Sequence, residues 1–166
     1  MARLTEEYQI QTAIVPIDLA SGANNGDWVS MKLYDTLDII VICDAGAASE
    51  DPVLTVVQAT DVAGTGSKAL NFTRVDSKVG AQTGIGVFTK NTQAAANTYT
   101  DLVSGEAENL FVIHVEGQDL DRAGGFDCAR LTIADTGATA GKIGAALYFL
   151  GGARYVGQFP PSAIVD

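Results

Sequence analysis

The run Ile39-Ile40-Val41-Ile42-Cys43 does most to limit what this chain can become. Five consecutive apolar residues, mostly β-branched, are too few for a helix that spans a core, and they suit a strand covered on both faces. Val53, Leu54, Val56 and Val57 repeat the signal after Ala45–Pro52, where Gly46, Ser49, Asp51 and Pro52 punctuate the chain instead of extending it. The two runs predict a central β-hairpin over 37–60, with the other strands arranged around it.

The flanking segments read the same way. Pro16 in AIVPIDL removes a ladder donor and predicts an edge strand. Asn25-Gly26 is a tight-turn dipeptide, and WVSMKL after it alternates like a half-buried strand. ALNFTRV, IGVFTKNTQ, NLFVIHVEG and GFDCARLTIAD add further strands. DSKVGAQTG between two of them reads as a loop. Ala94–Ala96 is able to seed a helical turn, but Asn97, Thr98 and Thr100 favour extended chain. IGAALYFL competes between helix and strand. Gly141, Gly144, Gly151 and Gly152 tilt it toward strand. About eight to ten short strands at this spacing predict an all-β fold, a two-sheet β-sandwich that is jelly-roll-like, with extended N- and C-terminal arms. At 166 residues one domain is expected over 12–152, with an arm at 1–11 and a tail at 153–166. Phe159 and Ile164 would be costly to leave in water, so the tail is expected to pack on its own body or on another subunit.

Charge limits the partners. Ten Lys and Arg against twenty Asp and Glu give a net charge of −10, with no basic cluster, so nucleic acid and anionic membrane surfaces would be repelled. Only 18% of residues are charged, against roughly 25% in typical soluble proteins, and a surface so poor in charge invites protein partners. The opening MARLTEEYQIQ has no apolar core of a secretory signal, and no span of about 18–20 apolar residues is present, so a cytoplasmic site of synthesis is expected. In that compartment Cys43 and Cys128, both inside apolar strands, are expected as buried thiols; a disulfide between neighbouring strands is the alternative.

Chemistry-bearing motifs are sparse. His114 is the single histidine, with no nucleophile in a G-x-S-x-G frame, so no catalytic residue is assigned and no enzyme is expected. Glu116, Asp119, Asp121 and Asp127 make an oxygen-rich loop without the EF-hand spacing; it reads as a solvated turn whose carboxylates cap amides, with Ca²⁺ as the alternative. No metal or cofactor is assigned. GTG at 64–66 and GIG at 84–86 lack the GK[ST] ending of a phosphate loop.

The phrases QATDVAGTGSKALNFTRVDSK (58–78), TKNTQAAANTYTD (89–101) and GFDCARLTIADTG (125–137) resemble small structural proteins of the tailed-bacteriophage virion, similar to head decoration or cement proteins. The resemblance covers most of residues 12–150. It implies a homotrimer, made in the host cytoplasm, that binds the major capsid protein on the outer surface of the head and stabilises it by bridging capsomers. Under that reading Arg3, Leu4, Tyr8 and Ile10 of the arm, with Tyr155 and Phe159 of the tail, are the candidate partner contacts. A tail or head-completion component is one alternative. A carbohydrate-binding β-sandwich is another, and it would use Trp28 and Tyr34 as an aromatic platform.

Overall fold

The computed structural model describes residues 3–101, 107–137, 141–155, 157 and 159–165. Residues 1–2 of the expected arm and residues 156, 158 and 166 of the expected tail lie outside the described residues. Among the described residues twelve strands carry the fold: β1 (Gln9–Asp18), β2 (Asn24–Asn25), β3 (Val29–Ser30), β4 (Thr36–Cys43), β5 (Val53–Ala59), β6 (Lys68–Ala69), β7 (Phe72–Val79), β8 (Thr89–Ala96), β9 (Thr98–Thr100), β10 (Asn109–Glu116), β11 (Cys128–Ile133) and β12 (Ile143–Gly151). Two short helices, α1 (Leu4–Glu7) and α2 (Ala81–Ile85), complete the elements used below.

The strands form two antiparallel sheets. Sheet A runs β1-β12-β4-β10-β7-β8, and sheet B runs β2-β11-β5-β6, with β3 also on β11 and β9 also on β5. If β2 and β3 are taken as one broken strand and the β6–β8 segment is set aside, eight strands remain. The first, eighth, third and sixth then share sheet A, and the second, seventh, fourth and fifth share sheet B. That interleaving is the jelly roll, the architecture expected from the strand spacing.

The hairpin expected over 37–60 does not form. β4 lies between β12 and β10 in sheet A, whereas β5 lies between β11 and the β6/β9 edge in sheet B, so Asp44–Pro52 crosses from one sheet to the other. Each strand satisfies its backbone within its own sheet and turns one face inward. β4 contributes Leu37, Ile39 and Val41, all fully buried, and β5 answers with Leu54 and Val56. Phe111, Ile113 and Val115 of β10, Tyr148 and Leu150 of β12, and Leu131 and Ile133 of β11 fill the space between the sheets. Each such side chain stabilises the fold by about 1.5–3 kcal/mol relative to exposure.

Several polar groups inside this core are hydrogen-bonded. Tyr148, fully buried on sheet A, accepts the Leu131 N–H of sheet B at 2.7 Å, and burial raises its pKa above the usual phenol range. Gly26 lies against the same spot. A Cβ there would meet the Tyr148 hydroxyl and the Leu131 carbonyl at 2.9 Å each, so Asn24-Asn25-Gly26 serves as a short strand on β11 and a close approach, not as the tight turn its sequence suggested. The Gln58 amide donates to the Ala69 carbonyl at 2.9 Å and its oxygen accepts the Asp121 N–H at 2.8 Å.

Both chain ends are anchored to the body by backbone hydrogen bonds. α1 occupies Leu4–Glu7, and from Gln9 the chain is already paired with β12, Gln9 opposite Leu150. β1 is an edge strand, as its proline predicts, with one register shift between Thr12 and Ile14 and a second, between Ile14 and Ile17, that spans Pro16. The tail returns to its own body: Ala163 is buried, its carbonyl accepts the Ser30 N–H at 2.6 Å, and the Tyr34 hydroxyl donates to the Pro161 carbonyl. Cys43 in sheet A and Cys128 in sheet B are both buried and unbridged. Burial pushes the Cys43 thiol up to about 11.

Candidate interaction surface

Residues paired across antiparallel strands point to the same side of the sheet. On the outer side of sheet A, Leu147, Ile40 and Val112 form one row across β12, β4 and β10, and Ala145, Ile42 and Leu110 form the next. All six are apolar. Ile42 is 53% exposed, and Ile143 at the lower end of β12 is 46% exposed. The other members are half-buried, and among the described residues no further sheet packs over them. Apolar surface gathered on three adjacent strands, with charge around it, makes this face the candidate interaction surface.

The charged rim follows from the same register. Val112 pairs with Asp76, which pairs with Lys90, and Leu110 pairs with Lys78. At the other end Phe149 pairs with Asp38, and Asp38 with His114. His114 Nδ1 stands 2.6 Å from Asp38 Oδ1, and Arg74 holds both Asp76 oxygens, at 2.8 and 2.7 Å. These groups border a polar hollow of about 450 Å³, to which Asn71, Thr73 and Asp119 also contribute. A second hollow of about 570 Å³ lies where Ile42, Leu110, Ile143 and Ala145 meet Pro16 of β1, with Asp44 and Glu108 on its border.

The candidate contact residues are distributed over two anchored segments. Arg3 opens α1, its backbone N–H donating to Glu6 at 2.9 Å, and Leu4 is 53% exposed. Tyr8 is half-buried. It lies over Gly151, where a Cβ would meet its ring at 2.9 Å, and presents an edge-on contact to Phe149 at 6.5 Å between centroids. Ile10 pairs with Phe149 directly. The structure thus brings Tyr8 and Ile10 to the upper margin of the apolar face. Tyr155 and Phe159, 75% and 57% exposed, belong to a segment fixed elsewhere, by the Arg154 N–H on the Leu33 carbonyl and by Ala163 on Ser30.

Two other sequence-level readings take definite form. The aromatic platform of the alternative carbohydrate-binding reading is not built, because Tyr34 is fully buried and Trp28 is already covered by the Arg130 guanidinium, 4.7 Å from its ring centroid. The carboxylates of 116–127 are used locally. Asp119 accepts the Glu116 N–H at 2.8 Å, and Asp121 accepts the Gly124 N–H at 2.9 Å while pairing with Lys68 at 2.5 Å. Those bonds, the lysine first, hold the Asp121 carboxyl below its ordinary value. Among the described residues no three His, Cys, Asp or Glu side chains gather to hold a metal ion.

Sequence reasoning missed the apolar face itself, because a continuous apolar run was read as a strand covered on both sides. The usable signal was the pairing of two such strands, 39–43 and 110–115, in a chain with few charges to place over them.

No protein-family model and no curated protein matches the chain. Among solved structures, the crystal structure of SPBc2 prophage-derived protein YomS is similar at a TM-score of 0.45 and 10% identity, over 87% of this chain and 94% of that one. A likeness of that size carries no argument about this chain, whose fold rests on its own strand pairings. Among the described residues no helix is long and apolar enough to cross a membrane.

Proposed function

We propose that this chain is a non-enzymatic structural subunit of a tailed-phage virion, a decoration or cement protein that acts as a homotrimer on the outer surface of the head and bridges capsomers of the major capsid protein. The observation that carries the reading is the uncovered apolar face of sheet A, with Ile42 and Ile143 about half exposed inside a charged rim. Obligate assemblies bury roughly 2,000 Å² or more through surfaces that resemble a divided core, and this face has that composition. The net charge of −10 suits an outer surface and disfavours one turned toward packaged DNA. The sequence resemblance over 12–150 supplies the virion context. A subunit that binds only the expanded shell stabilises it by mass action.

The test is co-sedimentation with expanded heads that lack this subunit, paired with a rupture assay on heating. Saturable binding and a raised rupture temperature are expected; heads that neither bind the protein nor gain stability overturn the proposal. Deleting residues 1–8 removes Arg3, Leu4 and Tyr8 while sparing the β1 register from Gln9, and should lower occupancy without unfolding the domain.

A further inference from the structure

The β7–β8 hairpin lies outside the eight-strand jelly roll and widens sheet A beyond β10. Its far end carries α2, which ends at Ile85, and then Val87 and Phe88; the three are 70%, 58% and 47% exposed. Three large apolar side chains within four residues stand in water. The segment around them carries no acid in an acidic chain: residues 77–100 contain Lys78 and Lys90 and no Asp or Glu. Lys78 Nζ sits 4.3 Å from the centre of the Phe88 ring, so the tip is apolar with a cation on it.

Next to this tip is a feature of opposite sign. The hollow of about 570 Å³ on sheet A is walled by Pro16, Ile42, Leu110 and Ile143, has Asp44 and Glu108 at its border, and reaches Thr83 of α2. Thr83 contacts Glu108 at 3.4 Å, which fixes α2 beside the hollow. Neither Ile85, Val87 nor Phe88 of the same chain lines it. One surface is therefore apolar and basic, its neighbour apolar and acidic, and within one chain they do not fill each other.

We propose that the tip of one copy, Ile85–Phe88, seats in the hollow of a second copy, with Lys78 and Lys90 approaching Asp44 and Glu108. A contact in which each copy gives its tip to the next is heterologous, and with three copies it closes into a ring. This deepens the homotrimer reading above and rests on it for the count of three. Part of the sheet A face is then the joint between copies, and the upper margin near Tyr8 and Ile10 stays open to the shell.

The experiment is light scattering on wild type, Phe88→Asp, Ile42→Asp, and an equal mixture of the two variants at the highest soluble concentration. Wild type is expected at a multiple of 17.2 kDa, and each variant alone at 17.2 kDa. The mixture keeps one intact tip and one intact hollow, so it should rise to twice the monomer mass and no further. A mixture that stays monomeric overturns the proposal, as do variants that assemble like wild type. A charge exchange guards against misfolded variants: Lys78→Glu and Glu108→Lys should each weaken assembly, and the double variant should regain it; failure to regain counts against the contact. Head binding separates the two ideas. A wild-type monomer that still binds heads removes the contact and leaves the decoration reading, whereas a ring that depends on Phe88 but ignores heads does the reverse.

Discussion

The two sides of sheet A are made by the same strands and are both apolar, yet they have different fates. On the inner side Ile39 and Phe111 are fully buried against sheet B, while two rows of the outer side, around Ile40 and Ile42, face no further sheet among the described residues. Apolar content alone does not make a core. The inner residues are fixed because a second sheet approaches to about 10 Å and its side chains interlock with theirs. The outer residues have only their neighbours in the sheet, and their remaining surface stays available for association.

Substitutions across the sheet test that contrast. Phe111→Ala should have the largest effect, about 3–5 kcal/mol in urea unfolding, because it empties a site between the sheets; a loss below about 1 kcal/mol would mean the inner side is not packed as described. Tyr148→Phe keeps the ring but leaves the Leu131 N–H without its partner, at a cost of about 1–3 kcal/mol. An unchanged midpoint would show that the tie between the sheets is dispensable. Ile42→Thr, on the outer side of the same β4, keeps the branched strand residue and should move stability by no more than about 0.5 kcal/mol. A loss comparable to that of Phe111→Ala would make the two sides equivalent. The smallest signal is chemical. Cys43, two per cent exposed with its thiol held up at about 11, should react with a thiol reagent at pH 8 only as fast as the domain opens, and rapidly in denaturant.

Local patterns revealed the strands better than their partners. IGAALYFL extends as β12, the alanine triplet lies in β8, and Pro16 marks an edge, because glycine, β-branching and the missing proline donor act within a few residues. The hairpin over 37–60 failed because apolarity shows that two runs are strands and is silent on which sheet each joins. α1 was invisible because it is a single turn held by the Glu6 carboxylate on the Arg3 amide, with no apolar period to announce it. α2 is another single turn, read as loop up to its last residue, and its Ile85 with the following Val87 and Phe88 are ordinary in composition. The interaction surface was hidden for a different reason: exposure belongs to the assembled sheet, and residues 39–43 look the same whether one side or both are covered.

The position of β12 between β1 and β4 also governs time. Sheet A cannot reach its final order until residues 143–151 have been made, since β12 is the strand that joins β1 to the rest. Pairings this distant along the chain belong to the class that folds in milliseconds to seconds, with loop closure ahead of any reward. Until β12 arrives, β4 lacks one of its two strand neighbours, and the run from Ile39 to Cys43 is open to other chains. The rate at which the last strand docks therefore sets how long a newly made copy is vulnerable to aggregation.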